Sequence, residues 1–160
     1  MKSGSPGFSA LEITVVMVLV GVLSALAVKP ISGWIKRVRI QNAAEGIKHL
    51  VIVARSRAIA NPSLHCGVFF DVTTGAQKAL LFLDRDNSST YSASQDSAYL
   101  QPYKMKDNIV LSIPAGSFST LVFRGDGSAN QSTTVNLTLG AMVDTINVLA
   151  STGRVKSGIK

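Results

Sequence analysis

The sequence predicts an α+β protein, a long N-terminal helix packed against an antiparallel β-sheet head. Three observations carry that reading. Ile13 to Val28 (ITVVMVLVGVLSALAV) contains no charged residue. Apolar residues then recur at three- and four-residue spacing as far as Ala58. After Asn61-Pro62 the pattern changes to short β-branched and aromatic runs separated by turn residues, with no helical period between them. Strands joined by short turns pair antiparallel, and one helix followed by a run of strands makes an α+β domain.

Counted from Phe8, the apolar segment is roughly 21 residues, or roughly 31 Å as a helix, close to the hydrocarbon thickness of a bilayer. A helix apolar on all sides needs lipid or similar helices around it. Glu12, at the head of this run, is out of place by composition, because a charge in apolar surroundings is costly without a partner. Pro30 removes one backbone donor and is expected to kink the helix without ending it. Beyond it the pattern is amphipathic: Ile47, Leu50, Val51, Ala54 and Ala58 form a stripe, while Lys36, Arg37, Glu45, Lys48 and Arg55 take the other faces. Asn61-Pro62-Ser63 is a stop, since the residue before proline is pushed out of the helical region. The predicted helix, Phe8 to about Ala60, is about 53 residues and roughly 80 Å long.

In the head, Cys66–Val72 and Ala79–Leu83 read as strands around the turn Thr73-Thr-Gly75. Asp84 to Ser97, rich in Ser, Asp and Asn, reads as a polar surface loop. Later strands are expected over 109–113, 118–123, 134–139 and 145–149, with Gly125-Asp-Gly127 as a hairpin-type turn.

The chain of 160 residues has 16 basic and 9 acidic side chains, a formal charge of +7. The excess is dispersed, which describes a solvated basic surface, and its sign suits nucleic acid or anionic lipid as a counterpart. The single cysteine, Cys66, excludes an intramolecular disulfide.

The stretch Gly7-Phe8-Ser9-Ala10-Leu11-Glu12 with its apolar run resembles the prepilin signal of type IV pilins and type II secretion pseudopilins. A secretory signal has an apolar region of about 7 to 15 residues, shorter than this one, and no acid at its head. The resemblance implies a leader over 1–7 and cleavage by a prepilin peptidase between Gly7 and Phe8. It further implies N-methylation of Phe8, and a carboxylate at Glu12 that pairs with a neighbouring subunit's terminal amine during assembly. The segments it implies are a transmembrane and filament-core helix over 8–29, an amphipathic half over 30–61 and a β-rich head over 62–160. Localisation would be the bacterial inner membrane, single-pass, with the head in the periplasm or on a filament. The charge pattern alone points the other way: Lys29, Lys36, Arg37 and Arg39 follow the run and only Lys2 precedes it, which would put the C-terminal side in the cytoplasm. Many major pilins close a C-terminal loop with a cysteine pair, which this chain cannot do.

Within that superfamily the head resembles the H-type minor pseudopilins and the FimT-like minor pilins. The residues concerned are Leu83-Asp84 with Asn87, the polar loop, Phe123-Arg-Gly-Asp-Gly127 and Ser151-Thr-Gly153-Arg154-Val155. The function implied is a minor pilin-like structural subunit of a secretion pseudopilus or a type IV pilus, whose partners are other pilin or pseudopilin subunits. The alternative is DNA capture in natural transformation through the basic tail, with Arg154, Lys156 and Lys160 as contacts. Against firm binding, that tail holds few charges beside the six to ten phosphate contacts of a tight complex, and no aromatic interleaves for stacking.

No catalytic constellation, cofactor motif or metal set is expected. His65-Cys66 lacks further zinc ligands in reach, and Cys66 reads as the start of a buried strand. Asp84, Asp86 and Ser88 are spaced like the opening of a calcium loop, but the sixth position is Ser89 in place of glycine and the twelfth is Gln95 in place of glutamate. The reading there is a solvated loop. Arg124-Gly-Asp126 is explained by a turn, and Gly125-Asp-Gly127 lacks the Lys-Ser/Thr of a phosphate loop. Asn87, Asn130 and Asn136 head formal glycosylation acceptors, which mean little in the bacterial chain that the resemblance implies.

Overall fold

In the computed structural model residues 7–106 and 108–159 are described, those from 26 to 30 by backbone alone. The helix, α1, runs from Ala10 to Ala60, 51 residues. It starts two residues later than the apolar pattern suggested because Ser9 caps it: the Glu12 N–H donates to Ser9 Oγ at 3.2 Å and the Ile13 N–H to the Ser9 carbonyl at 3.2 Å. Ser9-x-x-Glu12 has the spacing of a capping box, a signal the hydrophobic pattern conceals. The helix passes through Pro30, as expected. Its last turn closes with the Asn61 N–H on the Arg57 carbonyl at 3.0 Å, next to Pro62.

The chain divides into two compact units, one ending at Lys36 and one running from Arg37. In the first, every residue from Gly7 to Ala25 is exposed. The hydroxyls in the run turn inward, Thr14 Oγ1 donating to the Ala10 carbonyl at 2.8 Å and Ser24 Oγ to the Val20 carbonyl at 2.7 Å, so neither offers a spare donor to its surroundings. Among the described residues no helix is long and apolar enough to cross a membrane. The expected span over 8–29 includes positions 26–29, whose side chains lie outside the described residues, as do Lys160 and most of the expected leader.

In the second unit nine strands follow among the described residues. They are β1 (His65–Asp71), β2 (Lys78–Asp84), β3 (Ser97–Ala98), β4 (Tyr103–Lys104), β5 (Val110–Ser112), β6 (Thr120–Phe123), β7 (Thr133–Leu139), β8 (Met142–Val148) and β9 (Val155–Ile159). They form two antiparallel sheets. One has the order β3-β2-β1-β6 with β4 also on β2; the other is β5-β7-β8-β9. Ile40, Ala43, Ala44, Ile47, Leu50, Val51, Ala54 and Ala58 of α1 are buried in one core with Val68, Phe70, Leu81, Leu121 and Phe123 of the first sheet. Leu111, Val135, Leu137, Ile146 and Val148 of the second sheet belong to the same core. The predicted stripe is therefore the buried one, extended back to Ile40.

Strands β1 and β2 are almost continuously apolar because their sheet is covered on both faces. Val68, Phe70 and Leu81 meet the helix side, while Phe69 and Phe82 lie under the polar loop, whose Tyr91 stacks on Phe69 at 5.0 Å and meets Phe82 edge-on at 5.2 Å. The loop after Asp84 is thus a packed cover with a polar outer side.

The turn at Gly125–Gly127 forms as expected, with the Gly127 N–H on the Arg124 carbonyl at 2.9 Å and Asp126 Oδ1 accepting from the Ser128 N–H at 2.8 Å. It does not join two strands of one sheet, which corrects the hairpin reading. After a single bridge, Phe123 to Ala129, the chain changes sheets. Asn130 Oδ1 takes the Val122 N–H at 3.0 Å, and the Ala129 N–H donates to Ala150 in the second sheet's β8–β9 turn at 2.8 Å. The C-terminal residues, read from sequence as a tail, form β9, paired with β8 from Val148–Val155 to Asp144–Ile159.

Candidate functional site

Among the described residues, three groupings of polar or charged side chains bear on the sequence reading. The first is the N-terminal turn. Gly7 and Phe8 precede the helix, and Phe8 is 79% exposed. Glu12 stands in the first turn with its own amide held by Ser9 Oγ. A carboxylate here faces the positive end of the helix dipole, which accommodates part of its charge locally. Behind it Val15, Val16, Met17 and Val18 are 51, 52, 71 and 62% exposed. Four successive positions, at 100° per residue, go round the whole circumference, so the helix has no covered side here.

The second place is the acidic loop. Carboxylate oxygens of Asp84, Asp86 and Asp96 lie within 4.8 Å of one another. Sequence spacing picked Asp84 and Asp86; Asp96 joins them from the far end of the loop. Asp84 accepts from the Ser88 N–H at 3.2 Å and the Ser89 N–H at 3.0 Å, Asp86 from the Ser88 N–H at 3.1 Å. Asp96 accepts from the Arg85 N–H at 3.1 Å and the Ser92 N–H at 2.7 Å. The three residues could lend oxygens to a hard cation, but the groups that hold them are the loop's own amides. Asn87 and Ser89 sit at φ 61° and 60°, so the left-handed turn that glycine supplies in a calcium loop is made here by serine. Burial pushes the Asp84 carboxyl up, while the Ser88 hydrogen bonds pull Asp86 down.

The third place is basic. Arg154 lines a groove of about 260 Å³ together with Lys48 and Arg55 of α1, over Ile52 and Ile59. Arg55 Nε donates to the Gly127 carbonyl at 3.1 Å, and Lys48 Nζ pairs with Glu45 Oε1 at 2.6 Å. Sequence reading named Arg154, Lys156 and Lys160 as a set. The structure gives Arg154 two helix cations as neighbours, leaves Lys156 exposed on β9 outside the groove, and Lys160 lies beyond the described residues. From sequence, Lys48 and Arg55 read only as residues off the apolar stripe of the helix. Their seven-residue separation puts them on one side of α1, a signal that was legible but pointed at no partner until β9 was placed.

Of the remaining candidates, Cys66 is buried at 2% exposure, and that burial raises its thiol's pKa despite Arg57 nearby, so it is held as a neutral core group. No family model, curated protein or solved structure matches the chain.

Proposed function

We propose that the chain is a minor pilin-like structural subunit, cut between Gly7 and Phe8 by a prepilin peptidase, methylated at Phe8, and assembled into a pseudopilus or type IV pilus by packing of its apolar half-helix. One observation carries this reading: every residue from Gly7 to Ala25 is exposed, and four consecutive apolar positions lie more than half bare around the full circumference. Each such side chain, already part-covered by its own helix, gains about 1–2 kcal/mol on full burial, so the segment calls for lipid first and neighbouring helices afterwards. The second unit supports a role as a carried head, since it has a core of its own built on Ile40–Ala58 and the two sheets. The reading places the chain in a bacterial inner membrane or on a filament and assigns it no catalytic residue and no cofactor. It is tested by intact mass of membrane-extracted protein. The expected mature chain begins at methylated Phe8, and Gly7→Val retains the leader; a wild-type chain still beginning at Met1, or cut after Ala27, refutes it.

A second reading, DNA capture, gains support from the grouping of Arg154 with Lys48 and Arg55. On that reading Arg154→Ala and Arg55→Ala each lower the slope of log affinity for duplex DNA against log salt by about one, without sequence preference. A slope unchanged by both substitutions excludes the groove as the contact.

A further inference from the structure

The second unit has a basic end, and the order of its elements shows which end that is. The Tyr103 ring lies against Gly46 of α1, filling the place a Cβ would take there, whereas Gly125 lies against Pro62 and Gly127 against Ile59 at the helix's far end. Strand β2 runs from Lys78 to Asp84, and Asp84 pairs with His65, which follows shortly after that far end. Lys78 therefore stands at the end of the unit from which Arg37 enters, with Lys104 directly opposite it on β4 and the Met105 N–H on the Gln77 carbonyl at 3.0 Å. Like charges facing each other across a ladder repel. Asp71 answers Lys78, with Nζ to Oδ2 at 3.5 Å, but among the described residues no carboxylate pairs with Lys104 or Lys106, both of which are exposed. The two facing lysines border a depression of about 660 Å³, lined among others by Gly75, Gln77, Met105 and Asn108. The Gln77 side chain is taken up by the Leu111 backbone, at 3.2 Å to the carbonyl and 2.8 Å from the N–H, so the lysines are the groups left to meet a ligand.

We infer that this end of the unit docks on anionic phospholipid headgroups, at the surface of the membrane that holds the apolar run. Charge is the first argument. Arg37, Arg39, Lys78, Lys104 and Lys106 gather here against Asp71 and Asp107, an excess of three positive charges. Farther along, Glu45 and Lys48 pair at 2.6 Å, and Asp144 is matched in number by Lys160. Asp107 and Lys160, outside the described residues, are counted from the sequence alone. Reach is the second argument. From Val28, the end of the uncharged run, to Arg37 is nine residues, at most about 32 Å of chain, so this end stays near the headgroups whatever the angle between the units. The stretch between adds only Lys29 and Lys36 as charges, both basic. Chemistry is the third. An ammonium brings three N–H donors and binds phosphate oxygens as a point charge, and each basic residue beside a membrane raises affinity for an anionic surface about fivefold. Reach also selects lipid over nucleic acid, since lipid is the anionic surface that the chain already holds at that distance. The inference rests on the membrane part of the proposed function, insertion of the apolar run. It holds for either face of the membrane, whether or not the chain is cut or enters filaments.

The test uses the full chain, labelled with ¹⁵N-glycine, in nanodiscs of phosphatidylcholine alone or mixed equally with phosphatidylglycerol, each carrying a trace of gadolinium-chelating lipid. Gly75 reports on the basic end and Gly125 on the opposite one. The expected result is paramagnetic broadening of Gly75 well beyond that of Gly125 in the anionic discs, with a much smaller contrast in the neutral ones. Salt at about 0.5 M, where the Debye length falls below about 5 Å, should remove the difference. Lys104→Gln and Lys106→Gln should each lower the ratio of docked to undocked head about fivefold. The salt dependence of the wild type decides the matter if a variant loses its native spectrum. The same contrast in both kinds of disc overturns the docking, as does a contrast that survives both salt and the double variant. Glycerol phosphate shifting Gly75 in neutral discs, with phosphatidylglycerol adding nothing, would make the depression a site for free anions and overturn it too. A chain that fails to join even the neutral discs refutes insertion, and the docking with it; an inserted chain without the anionic contrast refutes the docking alone.

Discussion

Gly153 is where the two sheets, the helix and the basic groove meet, and it offers a quantitative test of that junction. It is buried, its φ is +59°, and its N–H donates to the Leu149 carbonyl at 2.8 Å. A Cβ there would press against the Gly127 carbonyl oxygen, well inside van der Waals contact, and stand 3.0 Å from both Arg55 Nε and Phe123 Cε1. Gly153→Ala therefore carries two penalties. The left-handed backbone costs an alanine about 1–2 kcal/mol. Overlap with a backbone atom that cannot swing aside adds about 1–3 kcal/mol. Gly140, in the two-residue turn between β7 and β8, is the control: its φ is +63° and nothing lies within 4 Å of the added carbon. Gly140→Ala meets the first penalty alone. Amide exchange at Val135 and Ile146, in the middle of the second sheet, reports the opening free energy. At tenfold per 1.4 kcal/mol, Gly140→Ala should speed exchange about 5- to 30-fold, and Gly153→Ala by about another 5- to 140-fold. Equal rates in the two variants would refute the contact between the Gly127 and Gly153 turns, and with it the placement of Arg154 beside Arg55.

The remaining predictions concern the N-terminus and pH. Because Ser9 caps the helix at Glu12, the cap and assembly roles of the turn separate by variant: Ser9→Ala should loosen the first turn by about 0.5–2 kcal/mol, seen as faster exchange at the Glu12 amide, yet still enter filaments. On the proposed function, Glu12→Ala and Glu12→Gln are inserted and cut but are depleted from sheared filaments, with Glu12→Asp intermediate; a Ser9→Ala defect as large as that of Glu12→Gln would reduce Glu12 to a capping residue. At Asp126, the Ser128 hydrogen bonds, above all, hold the carboxyl below the ordinary aspartate value of 3.8. A lowered folded pKa means a stabilising contribution present above 3.8 and lost as pH falls through the folded value. The Ser128 amide resonance should accordingly titrate with a midpoint below 3.8, and a midpoint at or above it would contradict the turn geometry.

The sequence by itself determined the elements that rest on local periodicity. Ile47, Leu50, Val51, Ala54 and Ala58 could be assigned to one face because helical spacing is a property of neighbouring residues, and Asn61-Pro62 ended the helix by a steric rule that needs no tertiary contact. The exposed apolar run and the out-of-place Glu12 were legible for the same reason. Even the Ser9 cap was written locally, in Ser9-x-x-Glu12, though the stronger hydrophobic signal masked it. What only the tertiary structure decided are the partnerships between residues far apart in the chain. Nothing near Phe123 says that β6 belongs to one sheet and β7 to another, since the switch rests on Ala129 finding Ala150 and Asn130 returning to Val122. The terminal residues looked like a tail because Val155–Ile159 is short and half polar, and it becomes a strand because β8 presents an open ladder to it. Asp96 meets Asp84, and Arg154 meets Arg55, only when sheets and helix close on a common core. Spacing along the chain encodes which face a side chain occupies; which face it meets is set by the packing of the whole.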